Sequence, residues 1–279
     1  MKTLLKWLGI IATAVVCLIL LCAAWVYVAS NRVINRQYSP PVAAITLSRV
    51  SASVARGRHL GQAVTKCVEC HGEDLGGTAF IDDPAFGHIH ASNLTNGRGG
   101  VGSAYSDQEL VRAIRHGVKR DGRGAIIMPS ESFTYLSDGD LSSIIAWVRS
   151  MPPVDREWPA QRYGPVARAL LAFNKLPVFP AATLDQTRRT VPPRPDPDTT
   201  VAYGRYLTLV GGCQGCHNPA LSGGKIAGGD PKSPPAANLT PTGIDHYTEA
   251  VLITVSAPKR LAASRRLSAR SIATMLPGV

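Results

Sequence analysis

Acidic residues are scarce in this 279-residue chain: 19 Asp and Glu stand against 30 Lys and Arg, a formal charge of +11. A basic surface of that kind steers association with acidic partners. It does not point to nucleic acid, because no aromatic-basic cluster or groove-reading element accompanies the charge. Methionine is scarcer still, with only Met1, Met128, Met151 and Met275. Cysteine is also limited. Of six, Cys17 and Cys22 fall inside a long apolar run and read as small buried hydrophobes. The other four are used up by one repeated motif, so none remains to complete a separate zinc site.

The apolar run is LGIIATAVVCLILLCAAWVYVA, Leu8 to Ala29, 22 residues without a charge. At 1.5 Å per residue it spans a hydrocarbon core of about 30 Å. A cleaved signal peptide is the alternative, but its apolar region is typically roughly 7–15 residues. Trp25 and Tyr27 sit where an interfacial aromatic belt belongs. Leu21 before Cys22 and Val16 before Cys17 replace the small residue a lipoprotein site needs. The reading is an uncleaved anchor. Its orientation is poorly set by charge, since Lys2 and Lys6 precede the run and Arg32 and Arg36 follow it.

The four remaining cysteines form Cys67-Val68-Glu69-Cys70-His71 and Cys213-Gln214-Gly215-Cys216-His217. Cys-x-x-Cys-His is the attachment signature of c-type haem. Two thiols three apart on a turn form thioethers to one porphyrin, and the adjacent histidine is held under the iron. Zinc or redox-dithiol use is the alternative. The expectation is two covalently bound haem c groups.

The motifs belong to a longer repeat. Gly57-Arg58-His59-Leu60 is echoed by Gly204-Arg205-Tyr206-Leu207, and Leu75-Gly76-Gly77 by Leu221-Ser222-Gly223-Gly224. Ser92-Asn93-Leu94-Thr95 is echoed by Ala237-Asn238-Leu239-Thr240, and Tyr105-Ser106-Asp107 by Tyr247-Thr248-Glu249. The offset stays between 142 and 147 residues, so one unit is duplicated.

In the first copy, a helix is predicted from about Val54 to Val64 with Ser53 as its cap. The Gly-, Asp- and Asn-rich stretch from Gly72 to Gly102 reads as loop. Ser106-Asp107-Gln108-Glu109 is a capping box, Gly117 a C-cap, and Ser137 opens a last helix that Pro152 and Pro153 stop. Met128, in Ile126-Ile127-Met128-Pro129 and 57 residues after His71, is the candidate sixth ligand. A Met thioether opposite His raises the potential of the iron. His88 and His90 are rival ligands or haem-edge residues, and Met151 reads as packing.

Residues 152–200 hold ten of the 21 prolines, together with Trp158, Tyr163, Phe173 and Phe179. This stiff segment should pack on its neighbours, with a short helix from Val166 to Asn174 behind Pro165. The second copy loses the capping box, because Val251 stands where Glu109 stood. Met275 lies 58 residues after His217, and Lys259 to Arg270 holds five basic residues and no acid. The second copy therefore reads as C-terminally incomplete, through a truncated or frame-altered end or a variant domain, with Met275 a doubtful iron ligand.

The fold class is thus all-α: an anchor over 1–36, a first haem domain over 50–153, a linker over 154–199 and a second haem domain over 200–279. The chain resembles the multihaem cytochrome c subunits of bacterial membrane-bound dehydrogenases, those oxidising alcohols, gluconate or aldehydes. The resemblance rests on both Cys-x-x-Cys-His motifs, the Leu-x-Gly-Gly segments, Phe86 through Thr95, Asn238 through Ile244, Tyr105 through Leu110 and Phe133 through Pro153. It implies haem ligands at His71, Met128 and His217. It also implies electron transfer from a dehydrogenase catalytic subunit toward a quinone, cytochrome or oxidase, on the periplasmic side of the inner membrane. The rival reading is a dihaem oxidoreductase, of peroxidase or thiosulfate-dehydrogenase type, working at an open second haem.

Overall fold

The computed structural model describes residues 2–42, 44–48, 50–187, 193–195, 200–226 and 232–248. The chain is mostly helical. Helix α1 (Lys2–Ile34) has 33 residues and is the one helix among the described residues long and apolar enough to cross a membrane. Its most apolar stretch is not buried by the rest of the protein.

The first repeat is built on a crossing of two helices. Helix α2 (Ser51–His59) starts three residues earlier than the sequence suggests, and Val50 at its N-cap offers no side-chain cap. It runs on through Leu60–Val64 as a wider π turn, with the Thr65 amide donating to Leu60 O at 2.8 Å. Helix α6 (Asp138–Ser150) opens on Ser137, whose hydroxyl accepts from the Asp140 amide. Helix α2 touches α6 at Gly57, and the π turn touches it at Gly61, four residues on. An added Cβ at Gly57 would lie 1.8 Å from Ser143 O, and one at Gly61 2.1 Å from the Trp147 ring. The bare backbone is what lets the helices close over Trp147, Leu141, Ile144 and Ile145, all buried. Between them lie α3 (Cys67–His71), α4 (Asp107–His116) and α5 (Ser130–Phe133). Helix α4 has the reciprocal Ser106–Glu109 capping box and ends on Gly117 at φ 65°.

The all-α expectation is corrected in one place. The stretch read as loop contains an antiparallel hairpin, β1 (Ala79–Asp83) and β2 (Gly87–His90), extended by β3 (Arg162–Tyr163). An irregularity in the ladder between Ala79 and Ile81 hides the alternation that would have marked a strand. Asp83 supplies the turn, accepting from the amides of Ala85 and Phe86.

Much of the described proline-rich segment packs on the first repeat, although Phe173 stays 60% exposed. Trp158 donates to Gly76 O at 3.0 Å, Arg156 pairs with Asp74 at 3.0 Å, and Phe179 is buried. Helix α7 (Pro165–Ala172) starts on its proline and lies against α1. The second repeat contributes α8 (Val201–Val210), α9 (Gln214–His217) and α10 (Pro241–Ile244). Met275, Lys259–Arg270 and the run after Glu249 lie outside the described residues.

Candidate functional site

The first motif begins with a reversal. Lys66 takes φ 52°, turning the chain from the π turn into α3 so that Cys67, Cys70 and His71 follow on one short helix. The His71 Nδ1–H donates to Ser92 O at 2.8 Å, which leaves Nε2 as the free ring nitrogen. The peptide around the motif is tied down as well: Thr78 Oγ1 donates to Cys70 O at 2.5 Å, and the Gly77 amide to His71 O at 2.7 Å. Burial pushes the Cys67 and Cys70 thiols up and the His71 imidazole down. The ring is thus held neutral, with a lone pair to offer.

Cys67, Cys70 and His71 line one cavity of about 200 Å³, and Met128 lines it with them. Its walls are apolar: Ile89 from β2, Leu110 and Ile114 from α4, Ile144 and Val148 from α6. Lys119 and Gln161 are polar groups in its lining. Met128 follows Ile127, which holds φ 61° while its amide donates to Val178 O at 2.7 Å. A β-branched residue in the left-handed region is strained, and such strain clusters at ligand loops. It redirects the chain immediately before the methionine, a feature the sequence did not disclose.

The two rival histidines separate. His88 is half-exposed and sits 2.6 Å from Asp82, outside the cavity lining. His90 lines the cavity, but its Nε2–H donates to Pro159 O at 2.7 Å and its ring stacks on Trp158 at 5.2 Å. The Nδ1 of His90 is buried without a partner in the structure.

The second motif repeats several hydrogen bonds of the local frame. The His217 Nδ1–H donates to Ala237 O at 2.8 Å, as His71 does to Ser92 O. Leu239 N donates to Leu221 O at 2.8 Å, as Leu94 N does to Leu75 O. Asn238 Oδ1 accepts from the amide and hydroxyl of Thr240, as Asn93 Oδ1 does from Thr95. Leu75 and Leu221 both take positive φ, 54° and 60°. The Asn-Leu-Thr repeat was visible in the sequence, but its job was not: it holds the carbonyl that orients each histidine. Cys216 is exposed where Cys70 is half-buried. Burial pushes the Cys213 thiol up, and the Lys66 ammonium opposes that shift.

One carboxylate joins the copies. Asp140 is fully buried, and its Oδ1 accepts from Arg56 Nε at 3.1 Å and Arg194 Nη1 at 2.9 Å. Its Oδ2 accepts from Arg56 Nη2 at 3.2 Å and from the Tyr206 hydroxyl, on α8, at 2.8 Å. That hydroxyl accepts in turn from the Ser137 amide, and burial pushes its pKa up to about 12. Tyr206 and Val210 are buried in the same apolar cluster as Trp147 and Leu60.

Residues 52–148 match the family model described as cytochrome c oxidase, cbb3-type, subunit III. One of the subunits of nicotinate dehydrogenase from Pseudomonas putida is 31% identical over 188 residues, covering 64% of this chain and 15% of that protein. The gluconate 2-dehydrogenase cytochrome c subunit of Pantoea cypripedii is 31% identical over 185 residues, 60% of this chain and 38% of its own. The alcohol dehydrogenase (quinone) cytochrome c subunit of Gluconobacter oxydans is 27% identical over 255 residues, 76% and 50%. The chain thus spans half or less of each of these relatives.

Proposed function

We propose a relay role for this chain, which carries a cytochrome c domain and is related to the cytochrome c subunits of dehydrogenase complexes. It takes electrons from a dehydrogenase catalytic subunit and hands them to a downstream quinone, cytochrome or oxidase. The observation that carries this reading is the convergence of Cys67, Cys70, His71 and Met128 on one apolar cavity. A haem c held there supplies one-electron redox chemistry at its iron. The residues fit such a group: two thiols for thioethers, a neutral imidazole locked through Nδ1, and a thioether from Met128. Lys119 and Gln161 would offer donors to the porphyrin carboxylates. A haem that both His71 and Met128 held would suit a carrier rather than a catalyst.

The second motif is proposed to carry a second haem c through Cys213, Cys216 and His217. Support comes from the repeated hydrogen-bond frame, which prepares His217 as it prepares His71. Helix α1 is proposed as the anchor in the bacterial inner membrane. Thioether attachment takes place on the periplasmic side, which sets the haem domains there and the N-terminus inside.

Two outcomes test the reading. The intact chain stains for haem on a denaturing gel, and Cys213→Ala halves the haem per chain in a pyridine haemochrome assay. A chain holding one haem before and after the change removes the second site. At the first site, Met128→Ala abolishes the red-edge charge-transfer band of the ferric protein and Met128→His lowers the potential. An unchanged band and potential would assign the iron another ligand.

A further inference from the structure

We infer that α7, with Phe173 behind it, is a second membrane contact: a short foot lying in the headgroup–acyl boundary beside the end of α1. This rests on the reading of α1 as a membrane anchor and goes beyond it.

The uncharged run ends at Ala29, and Trp25 lies four residues inside it, about 6 Å along the helix axis. The Phe173 ring packs on the Trp25 ring with centroids 5.2 Å apart. Whatever depth Trp25 takes, Phe173 shares. Amphipathic helices lying in the interface bury their apolar side roughly 5–10 Å, and this geometry sets the same depth without further adjustment.

The faces of α7 agree. Ala167 and Leu171 are buried, Ala167 against Phe86 beside the hairpin. Val166 is 40% exposed and Phe173, on Trp25, 60% exposed, while Trp25 and Tyr27 are themselves half-exposed. An exposed ring packed on a bare transmembrane run is covered by what covers that run, which is lipid. The polar boundary is marked by Arg168. Its guanidinium lies over the Tyr27 ring at 4.7 Å, and Nη1 donates to Ser30 Oγ and Asn31 Oδ1, both at 3.0 Å. A guanidinium that stacks on an aromatic of the belt and bonds the polar groups just past the run marks where apolar surface gives way to polar. From Gly164 to Lys175 there are two basic residues and no acid, the sign that suits anionic headgroups.

The foot would fix how the first haem domain stands on the bilayer. A single helix leaves the domain free to swivel about it. A second contact removes that freedom, and α7 is joined through Phe86 to β2, whose Ile89 lines the haem cavity.

The test uses the full-length haem protein alone in nanodiscs of phosphatidylethanolamine and phosphatidylglycerol, doped with a phospholipid bearing a diazirine high on its acyl chain. After irradiation and digestion, lipid adducts are expected on peptides from 8–29 and from 165–175. Phe173→Glu should abolish the second adduct and leave the first. Adducts on 8–29 alone overturn the foot and leave the anchor standing. Adducts on neither peptide overturn the anchor, and the foot with it. Protection of 165–175 from water-soluble footprinting reagents that appears only when a dehydrogenase subunit is added assigns this face to a protein partner and overturns the inference.

Discussion

Asp140→Ala lowers the stability of the protein by about 3–5 kcal/mol, the range seen when one partner of a buried ion pair is removed. The change leaves Arg56, three-quarters buried, without its bidentate partner. It also leaves the Tyr206 hydroxyl, in the core, with no acceptor. An unsatisfied buried donor alone costs about 1–3 kcal/mol. For a chain of this size each kcal/mol moves the melting temperature by about 2–4 °C, so thermal unfolding followed by circular dichroism should shift down by about 6–20 °C. Asp140→Asn keeps an acceptor for Tyr206 but removes the charge, and should fall between the two. A shift under about 2 °C for the alanine variant would show that the cluster is peripheral to stability.

The two glycines that open the repeats, Gly57 and Gly204, should respond to the same substitution with opposite signs. Alanine relieves the conformational freedom of a helical glycine and is worth about 0.5–1 kcal/mol where space allows. At Gly204 an added Cβ meets nothing within 4 Å among the described residues, so Gly204→Ala should raise the melting temperature by about 1–4 °C. At Gly57 the added Cβ would sit 1.8 Å from the carbonyl oxygen of Ser143, which is backbone and cannot rotate away. Helices α2 and α6 would have to part, uncovering Leu141, Ile144 and Ile145. Overpacking of this sort costs about 1–3 kcal/mol and sometimes more, which outweighs the helical gain. Gly57→Ala should therefore destabilise, and Gly57→Leu should prevent the first domain from forming, as read by loss of the Trp147 near-ultraviolet signal.

The contrast between these glycines explains what could be read from sequence. Local signals survived: the Ser106–Glu109 box, the Ser137 cap and Pro165 at the head of α7 each depend on residues a few places apart. Elements stabilised by distant partners did not announce themselves. The hairpin at 79–90 is completed by β3, more than 70 residues on. The π turn at Leu60–Val64 reads as ordinary helix, because its cause is Trp147 lying over Gly61 and Thr65 bonding back to Leu60. Asp140 looked like an ordinary acid in the first turn of a helix. Its partners come from positions 56, 194 and 206, and no local pattern encodes them. At the site, the cysteines and histidines were legible as a motif, whereas the carbonyls of Ser92 and Ala237 that aim the imidazoles were not.

Helix α8 makes the duplication less separable than its sequence implies. By repeat it opens the second copy, yet its Tyr206 and Val210 are interior residues of the first. A chimera built by exchanging copies at the proline-rich segment would hand the first copy a foreign wall and strip Asp140 of a hydrogen-bond donor. The natural crossover point for recombination lies after Val210 and before Cys213, where the chain leaves the shared core. Gly211 and Gly212 occupy that gap, and the second takes φ 71° to turn into its motif. Exchange there would carry a Cys-x-x-Cys-His motif from one relative to another while leaving the supporting helix in place.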